Sequence, residues 1–352
     1  MSHVELRSIT KRFPGVTALD DVSFDIQDGE FFVLLGPTGA GKTTTLRVIA
    51  GLTYQDEGSV LFDGQPVDDY TPPDRDVAFV FQQYSLYPTM TVYDNLAFPL
   101  RSPLRKMPEP EIKRRVEDTA EKLRISPLLQ RKTANLSGGE MQRVSIGRAI
   151  VREPNVFLMD EPLSNLDAKL REALRVELQH LQRMQGSTTL FVTHDQIEAL
   201  TMADRIGVLE DGHLIQVGTP EDIYDRPATT FVAQLVGTPR INLFKSATEN
   251  GSVHALNSEL HFPAPGRALP REFLLGVRPE DITITPDGEY AGEVVLAEPL
   301  GVETVVHIGT GQQRLISVAP GMTDLQLGDR VCFDVSPERL HCFDLEGKRI
   351  LT

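Results

Sequence analysis

Tryptophan is absent from the 352 residues of this chain, and cysteine occurs only at Cys332 and Cys342. Two cysteines without C-x-x-C spacing exclude a disulfide scaffold and a cysteine-based zinc site, and both read as small buried or half-buried apolar residues. Positive charge is scarce: 35 Lys and Arg stand against 50 Asp and Glu, a formal net charge of −15. That balance opposes sequence-independent binding to a phosphate backbone, so nucleic acid is not an expected partner. The nearest approach to a basic run, Lys113-Arg114-Arg115, lies in a helical pattern with Ile112, Val116, Ala120 and Leu123 on one face, and reads as a solvated helix surface. Long apolar runs are also missing. No stretch approaches the roughly 18 residues of a membrane span, and the amino terminus has no basic segment followed by an apolar one, so the chain is expected to stay in the cytoplasm.

What is present suffices for two folded domains. Apolar residues make up 40 % of the chain and its length exceeds the roughly 250 to 300 residues at which single cores stop growing. The stretch Val22, Phe24, Ile26 alternates, whereas Phe31-Phe32-Val33-Leu34-Leu35 is continuous, as in a strand buried on both faces. Val156–Met159 and Thr188–Val192 are comparable runs, each following a helical segment, and this alternation argues for a wound α/β sheet. A mainly helical insert is expected over about residues 85–150. From about Val236 the texture changes to short β-like runs, among them Phe273–Val277, Glu293–Leu296 and Arg330–Phe333. The expected division is therefore residues 3–235 and 236–352, with Gly237-Thr238-Pro239 as linker.

Gly36-Pro37-Thr38-Gly39-Ala40-Gly41-Lys42-Thr43 fits G-x-x-x-x-G-K-[ST], follows the buried run, and precedes a helical stretch with Thr44, Leu46 and Ile49. Glycines at 36, 39 and 41 let backbone N–H groups turn toward phosphate oxygens, and the helix terminus adds partial positive charge. Lys42 then suits the β and γ phosphates and Thr43 a bridging Mg²⁺, so ATP and Mg²⁺ are the expected ligands. Asp160 and Glu161 end the Val156–Met159 strand, where alternation would send their side chains different ways. Asp160 suits the Mg²⁺ shell, and Glu161 suits the water that attacks the γ-phosphate. Leu136-Ser137-Gly138-Gly139-Glu140 opens a helix with Met141, Val144, Ile146 and Ala149, a second anion-binding terminus. One active centre in one chain has no need of two such termini.

In this order, residues 3 to about 235 resemble the ATP-binding subunits of ATP-binding cassette (ABC) transporters. The resemblance implies that Gln82 contacts metal and water, that Asp167 in Leu166-Asp167 crosses between two copies, that His194 contacts the γ-phosphate, and that Phe13 stacks on adenine. It implies a head-to-tail homodimer in which Leu136–Glu140 of one copy close over ATP held by the other. Glu140 stands where glutamine is usual, and Phe13 where tyrosine or tryptophan is common. Gly276-Val277-Arg278-Pro279-Glu280-Asp281 and its surroundings resemble the carboxy-terminal regulatory domain of carbohydrate-importer ATPases of the maltose-importer type. The implied architecture is an α/β P-loop ABC-type ATPase domain with a helical subdomain, followed by a small OB-like β-barrel. Implied partners are two transmembrane permease subunits and, through them, an extracytoplasmic solute-binding protein, with the chain on the cytoplasmic face of the membrane. Gln82–Pro88 is the expected permease contact, with Tyr84, Leu86 and Tyr87 as its apolar groups or else buried in the domain. Three other readings stay open: an ATPase of an ion or polyamine importer, a kinase built on the phosphate loop, and a soluble ABC protein acting on ribosomes or DNA.

Overall fold

The computed structural model describes residues 2–103, 107–249, 252–263 and 269–350. Its internal contacts form two compact units that divide between Pro220 and Glu221.

In the first unit the continuous apolar runs become central strands. Every residue of Phe31–Leu35, Val156–Asp160 and Thr189–Thr193 is buried, as a sheet covered on both faces requires. The sheet order is His213–Gly218, Arg205–Glu210, Phe31–Leu35, Thr189–Thr193, Val156–Asp160, Val77–Val80. Only the His213–Gly218 edge runs antiparallel; the other pairings are parallel. Parallel strands share one carboxyl edge, and the register sets Leu35 beside Thr193, Asp160 beside Val192, and Val80 beside Met159. Gly36, Phe81, Glu161 and His194 therefore leave the sheet on the same side, where wound α/β sheets bind ligands.

A second, antiparallel sheet takes Val16–Ile26, Val4–Phe13, Glu57–Phe62 and Gln65–Pro66. Phe24 and Phe32 stack across the two sheets with ring centroids 5.0 Å apart, inside a core that also takes Leu46, Val48 and Ile49 from helix Lys42–Ile49. Helices Val92–Ala97, Glu109–Lys122 and Gly138–Ile150 form the helical part. Glu109–Lys122 buries Ile112, Val116 and Ala120, while Arg114 and Arg115 both pair with Glu111, so the basic run is a solvated, ion-paired face.

The described residues of the second unit form two five-stranded antiparallel sheets. One runs His261–Pro263, Ser252–Ala255, Asn242–Glu249, Glu272–Val277, His341–Phe343; the other Ile282–Ile284, Arg330–Val335, Tyr290–Pro299, Glu303–Thr310, Gln313–Pro320. Ser317 Oγ donates to the Ile282 carbonyl at 2.7 Å, so the edge strands of the latter sheet meet and it nearly closes into a barrel. Phe244, Phe262, Phe273 and Phe333 fill the core. The contacts divide at 220/221, whereas the sequence texture changes at about 236. Within the second unit buried Arg278 donates to the carbonyls of Tyr224 at 2.8 Å and Ala233 at 3.1 Å, which ties the segment before residue 236 to the strands after it.

Candidate active site

Helix Lys42–Ile49 starts from Gly41, whose φ of 105° is left-handed, and has neither a side-chain cap nor an acid in its first turn. Among the described residues no side chain caps its first N–H groups, which leaves them to an anion. A Cβ on Gly41 would lie 2.4 Å from the Ala18 carbonyl oxygen, and one on Gly36 would lie 2.3 Å from that of Leu209, so glycine is required at both. Lys42, 5 % exposed, donates to the carbonyls of Gly36 and Pro37, each at 2.9 Å, and its Nζ lies 3.6 Å from Glu161 Oε1. Burial holds the Lys42 pKa below the ordinary lysine value, against the pull of Glu161. Thr43 Oγ1 donates to Asp160 Oδ1 at 2.9 Å, and burial raises the Asp160 pKa although that hydrogen bond opposes it.

Asp160 and Glu161 do serve different partners, but strand alternation is not the cause. The strand ends at Asp160 and Glu161 takes a left-handed φ of 43°, while its N–H donates to the Val192 carbonyl at 3.1 Å. This turn sets the Glu161 carboxylate between Lys42 and His194, whose Nδ1 is 3.0 Å from Oε2. Gln82 Nε2 faces Ser164 Oγ at 3.4 Å, and Ser164 Oγ donates to the Glu161 carbonyl at 2.9 Å. Asn165 Nδ2 donates to the Gln82 carbonyl at 2.9 Å. Gln82, Glu161, His194, Lys42, Thr43 and Asp160 thus form one connected cluster.

Three calls stand outside it. Asp167 is exposed and caps helix Ala168–Gln185 by accepting from Leu170 N at 3.0 Å. Phe13, 42 % exposed at the turn between Val4–Phe13 and Val16–Ile26, has Lys11 Nζ 5.4 Å from its ring centroid. Ser137 and Glu140 form a capping box at the start of helix Gly138–Ile150: Glu140 Oε2 accepts from Ser137 N at 2.8 Å and from Ser137 Oγ at 2.9 Å. That box gives Glu140 a local role which the comparison with glutamine left open. The same helix is tied to the segment after Gln82, with Ser145 Oγ donating to the Tyr84 carbonyl at 2.9 Å and Arg148 to that of Ser85 at 2.8 Å.

Sequence reasoning missed Ser164, Asn165 and Arg171. Arg171 donates to the Leu166 carbonyl at 3.2 Å and to Asp195 Oδ2 at 3.4 Å, which ties the segment holding Asp167 to the one following His194. Their residue types carry no signal; only their position between or just after Glu161 and Asp167 could have drawn notice. Nearby, Leu52, Pro72, Phe79, Phe81 and Pro99 line an apolar groove of about 670 Å³. Exposed Tyr87 packs on Phe98 at 4.7 Å between centroids, while Tyr84 and Leu86 are half-buried.

A glycine loop at the carboxyl edge of a parallel sheet, with a buried lysine and a strand-end acidic pair, defines a phosphate-loop nucleotide-binding protein. The family model for the ABC transporter matches residues 19–164, and that for the TOBE domain matches residues 275–343. The trehalose/maltose import ATP-binding protein of Thermococcus litoralis is 45 % identical, over 99 % of this chain and 100 % of that one. The sn-glycerol-3-phosphate import ATP-binding protein of Psychromonas ingrahamii is 45 % identical over 99 % and 95 %, and a xylose/arabinose import ATP-binding protein of Haloferax volcanii 43 % over 98 % and 94 %. Among solved structures, the ADP conformation of an ABC transporter cassette aligns with a TM-score of 0.58 at 28 % identity, over 66 % of this chain and 98 % of that one. The dimeric structure of a bacterial ABC transporter cassette gives 0.56 at 32 %, over 62 % and 98 %. The chain belongs to the ABC transporter family, as an ATPase among its import ATP-binding proteins.

Proposed function

We propose that this chain energises an importer for a sugar, polyol or sugar derivative, with Glu161 as the residue that orients and deprotonates the water attacking ATP. The observation that carries the chemistry is the Glu161 carboxylate, held between His194 at 3.0 Å and Lys42 at 3.6 Å. A carboxylate so flanked is oriented and faces the place where the loop would hold the γ-phosphate. Lys42 would exchange the carbonyls of Gly36 and Pro37 for phosphate oxygens, and the backbone from Gly36 to Thr44 would wrap the triphosphate. His194 would steady the γ-phosphate and the Glu161 carboxylate together, and the exposed Phe13 ring would stack on adenine.

Thr43 and Asp160 place a hydroxyl and a carboxylate 2.9 Å apart, an oxygen set that suits Mg²⁺, which takes one or two carboxylates along with phosphates and waters. Gln82 would complete that shell. The ion would neutralise charge on the β and γ phosphates.

Among the described residues the capping box at Ser137 has no hydrogen bond or ion pair to the cluster around Lys42, which fits a signature turn that serves a second copy. In the homodimer, Leu136–Glu140 would close over the nucleotide of the other chain and Asp167 would cross the interface. The solved cassette described as dimeric supports this arrangement. The apolar groove, with Tyr87 and Phe98 beside it, would receive a permease segment. Gln82, bonded to Ser164 and hence to Glu161, would report that docking to the active site. Two permease subunits would place the chain on the cytoplasmic face of the membrane, supplied by an extracytoplasmic solute-binding protein. The three relatives named for import of sugars or glycerol phosphate support the solute class.

Glu161→Gln tests the central assignment. Turnover is expected to fall by about 10² or more, as for loss of a general base, while ATP binding persists and light scattering detects an ATP-dependent dimer. Undiminished turnover removes the role of Glu161, and an ATP-bound monomer removes the two-copy mechanism.

A further inference from the structure

Helix Gln196–Met202 buries Glu198 together with Ala199 and Met202. The Glu198 carboxyl is 3 % exposed, at a position where an apolar side chain would pack without the cost of burying a charge. Its Oε2 accepts from Thr193 Oγ1 at 2.6 Å, and Thr193 Oγ1 itself accepts from Asp195 N at 2.9 Å. A hydroxyl has one proton, so with the Asp195 N–H aimed at its oxygen Thr193 gives that proton to Glu198. Asp195 Oδ1 completes the turn by accepting from Ile197 N at 2.8 Å as the helix cap. Burial raises the Glu198 pKa, and the Thr193 hydroxyl opposes that shift.

These bonds close around His194. Buried Thr193 ends strand Thr189–Thr193, and only His194 and Asp195 separate it from the helix. The His194 side chain is 53 % exposed, so packing does little to orient it and the backbone of the turn decides where its ring lies. Its Nδ1 reaches Glu161 Oε2 at 3.0 Å. Glu161, Thr193, His194 and Glu198 also line one cavity of about 20 Å³, room for a single water molecule, so the buried carboxyl lies directly behind the Glu161–His194 pair.

We propose that Glu198 is a positioning residue for ATP hydrolysis, which through Thr193 fixes the turn that presents His194 to the Glu161 carboxylate. A charged acceptor makes such a bond about twice as strong as a neutral one, and it selects the Thr193 rotamer whose oxygen is free for the Asp195 N–H. Without it the hydroxyl can turn away, the turn loses its tie to the helix, and His194 shifts against Glu161. A displacement of about 1 Å in a reacting geometry costs on the order of 10²-fold in rate. The inference rests on the roles proposed above for His194 and Glu161.

The test is steady-state ATPase kinetics of the full chain carrying Glu198→Leu, which removes the acceptor, or Glu198→Gln, which keeps an acceptor oxygen. In Glu198→Leu kcat should fall about tenfold or more, whereas Glu198→Gln should stay within about threefold of the parent. Affinity for Mg·ADP, which has no γ-phosphate for His194 to meet, should stay within about twofold in both, a split that a general loss of structure would not give. Thr193→Val breaks the same bond from its other end, and combined with Glu198→Leu it should add no further loss, as for two ends of one interaction. Should Glu198→Leu fail to fold, Thr193→Val against Thr193→Ser makes the same comparison. His194→Ala separates this inference from the reading beneath it. Turnover that falls in His194→Ala but not in Glu198→Leu overturns the role of Glu198 alone, as do equal losses in Glu198→Leu and Glu198→Gln, or a loss that extends to Mg·ADP affinity. Parent-like turnover in His194→Ala overturns the reading of His194 and this inference with it.

Discussion

Two helices of the first unit begin where an anion could be held, and they begin differently. Helix Lys42–Ile49 starts from a glycine with no side-chain cap and no acid in its first turn; helix Gly138–Ile150 starts from Ser137 in a complete capping box closed by Glu140. The first terminus is open, with Lys42 beside it. The second satisfies its own donors and adds a negative charge. An open terminus binds phosphate unaided, whereas a self-capped one gains only from a ligand that displaces its cap or shares it. On the function proposed above, this difference would separate a site complete in one chain from one that waits for a partner's nucleotide.

The largest effect expected from this comparison is at Lys42. Lys42→Ala removes charge-assisted bonds worth about 1.5 to 3 kcal/mol, and nucleotide binding by the isolated chain should weaken about 10- to 100-fold. Equilibrium titration with a fluorescent ATP analogue reads this. Affinity equal to that of the parent chain would break the comparison, because the open terminus would then not be where ATP is held.

Smaller is Ser137→Ala. Loss of an N-cap costs about 1 kcal/mol of stability, read as a lower urea midpoint. Monomer affinity for ATP should stay within twofold while turnover at saturating ATP falls several-fold. Parallel loss of binding and turnover would mean that the turn at Ser137 supports the fold and takes no part in a second copy's site.

The first terminus was legible from glycines 36, 39 and 41 before Lys42, and the second as a helix start at Ser137, though not as one closed by Glu140. The wound sheet was legible from the same kind of signal, runs buried on both faces. What escaped depends on distant pairing. Of the antiparallel sheet only the alternation Val22, Phe24, Ile26 showed; register shifts along Val4–Phe13 interrupt the alternation that a strand would display. Arg278 reaches back to the Ala233 carbonyl, and no composition change marks that contact. Arg171 and Ser164 act through carbonyls, which every residue type has, so their identity says nothing about them. The left-handed turn at Glu161 was hidden because glutamate is not a residue that announces positive φ.

The smallest effect and the finest test is Glu140→Gln, which keeps the shape of the capping box and removes its charge. A carboxylate near a helix N-terminus stabilises it by about 0.3 to 1 kcal/mol, so the variant should unfold at slightly lower urea at pH 7. The backbone N–H of Ser137, and then its hydroxyl, lower the Glu140 pKa below its ordinary 4.5. A carboxyl whose pKa falls on folding contributes its stability above 4.5 and loses it as pH drops through the folded value. The gap between parent and variant should therefore close on acidification below that value. Turnover should move the opposite way to stability. With the charge gone, a triphosphate brought by the second copy meets less repulsion, and the ATP concentration for half-maximal rate should fall about two- to fivefold, the equivalent of the same 0.3 to 1 kcal/mol. An unchanged ATP dependence, with the stability gap intact at neutral pH, would mean that Glu140 caps its helix without facing any nucleotide. The two termini would then differ in structure alone.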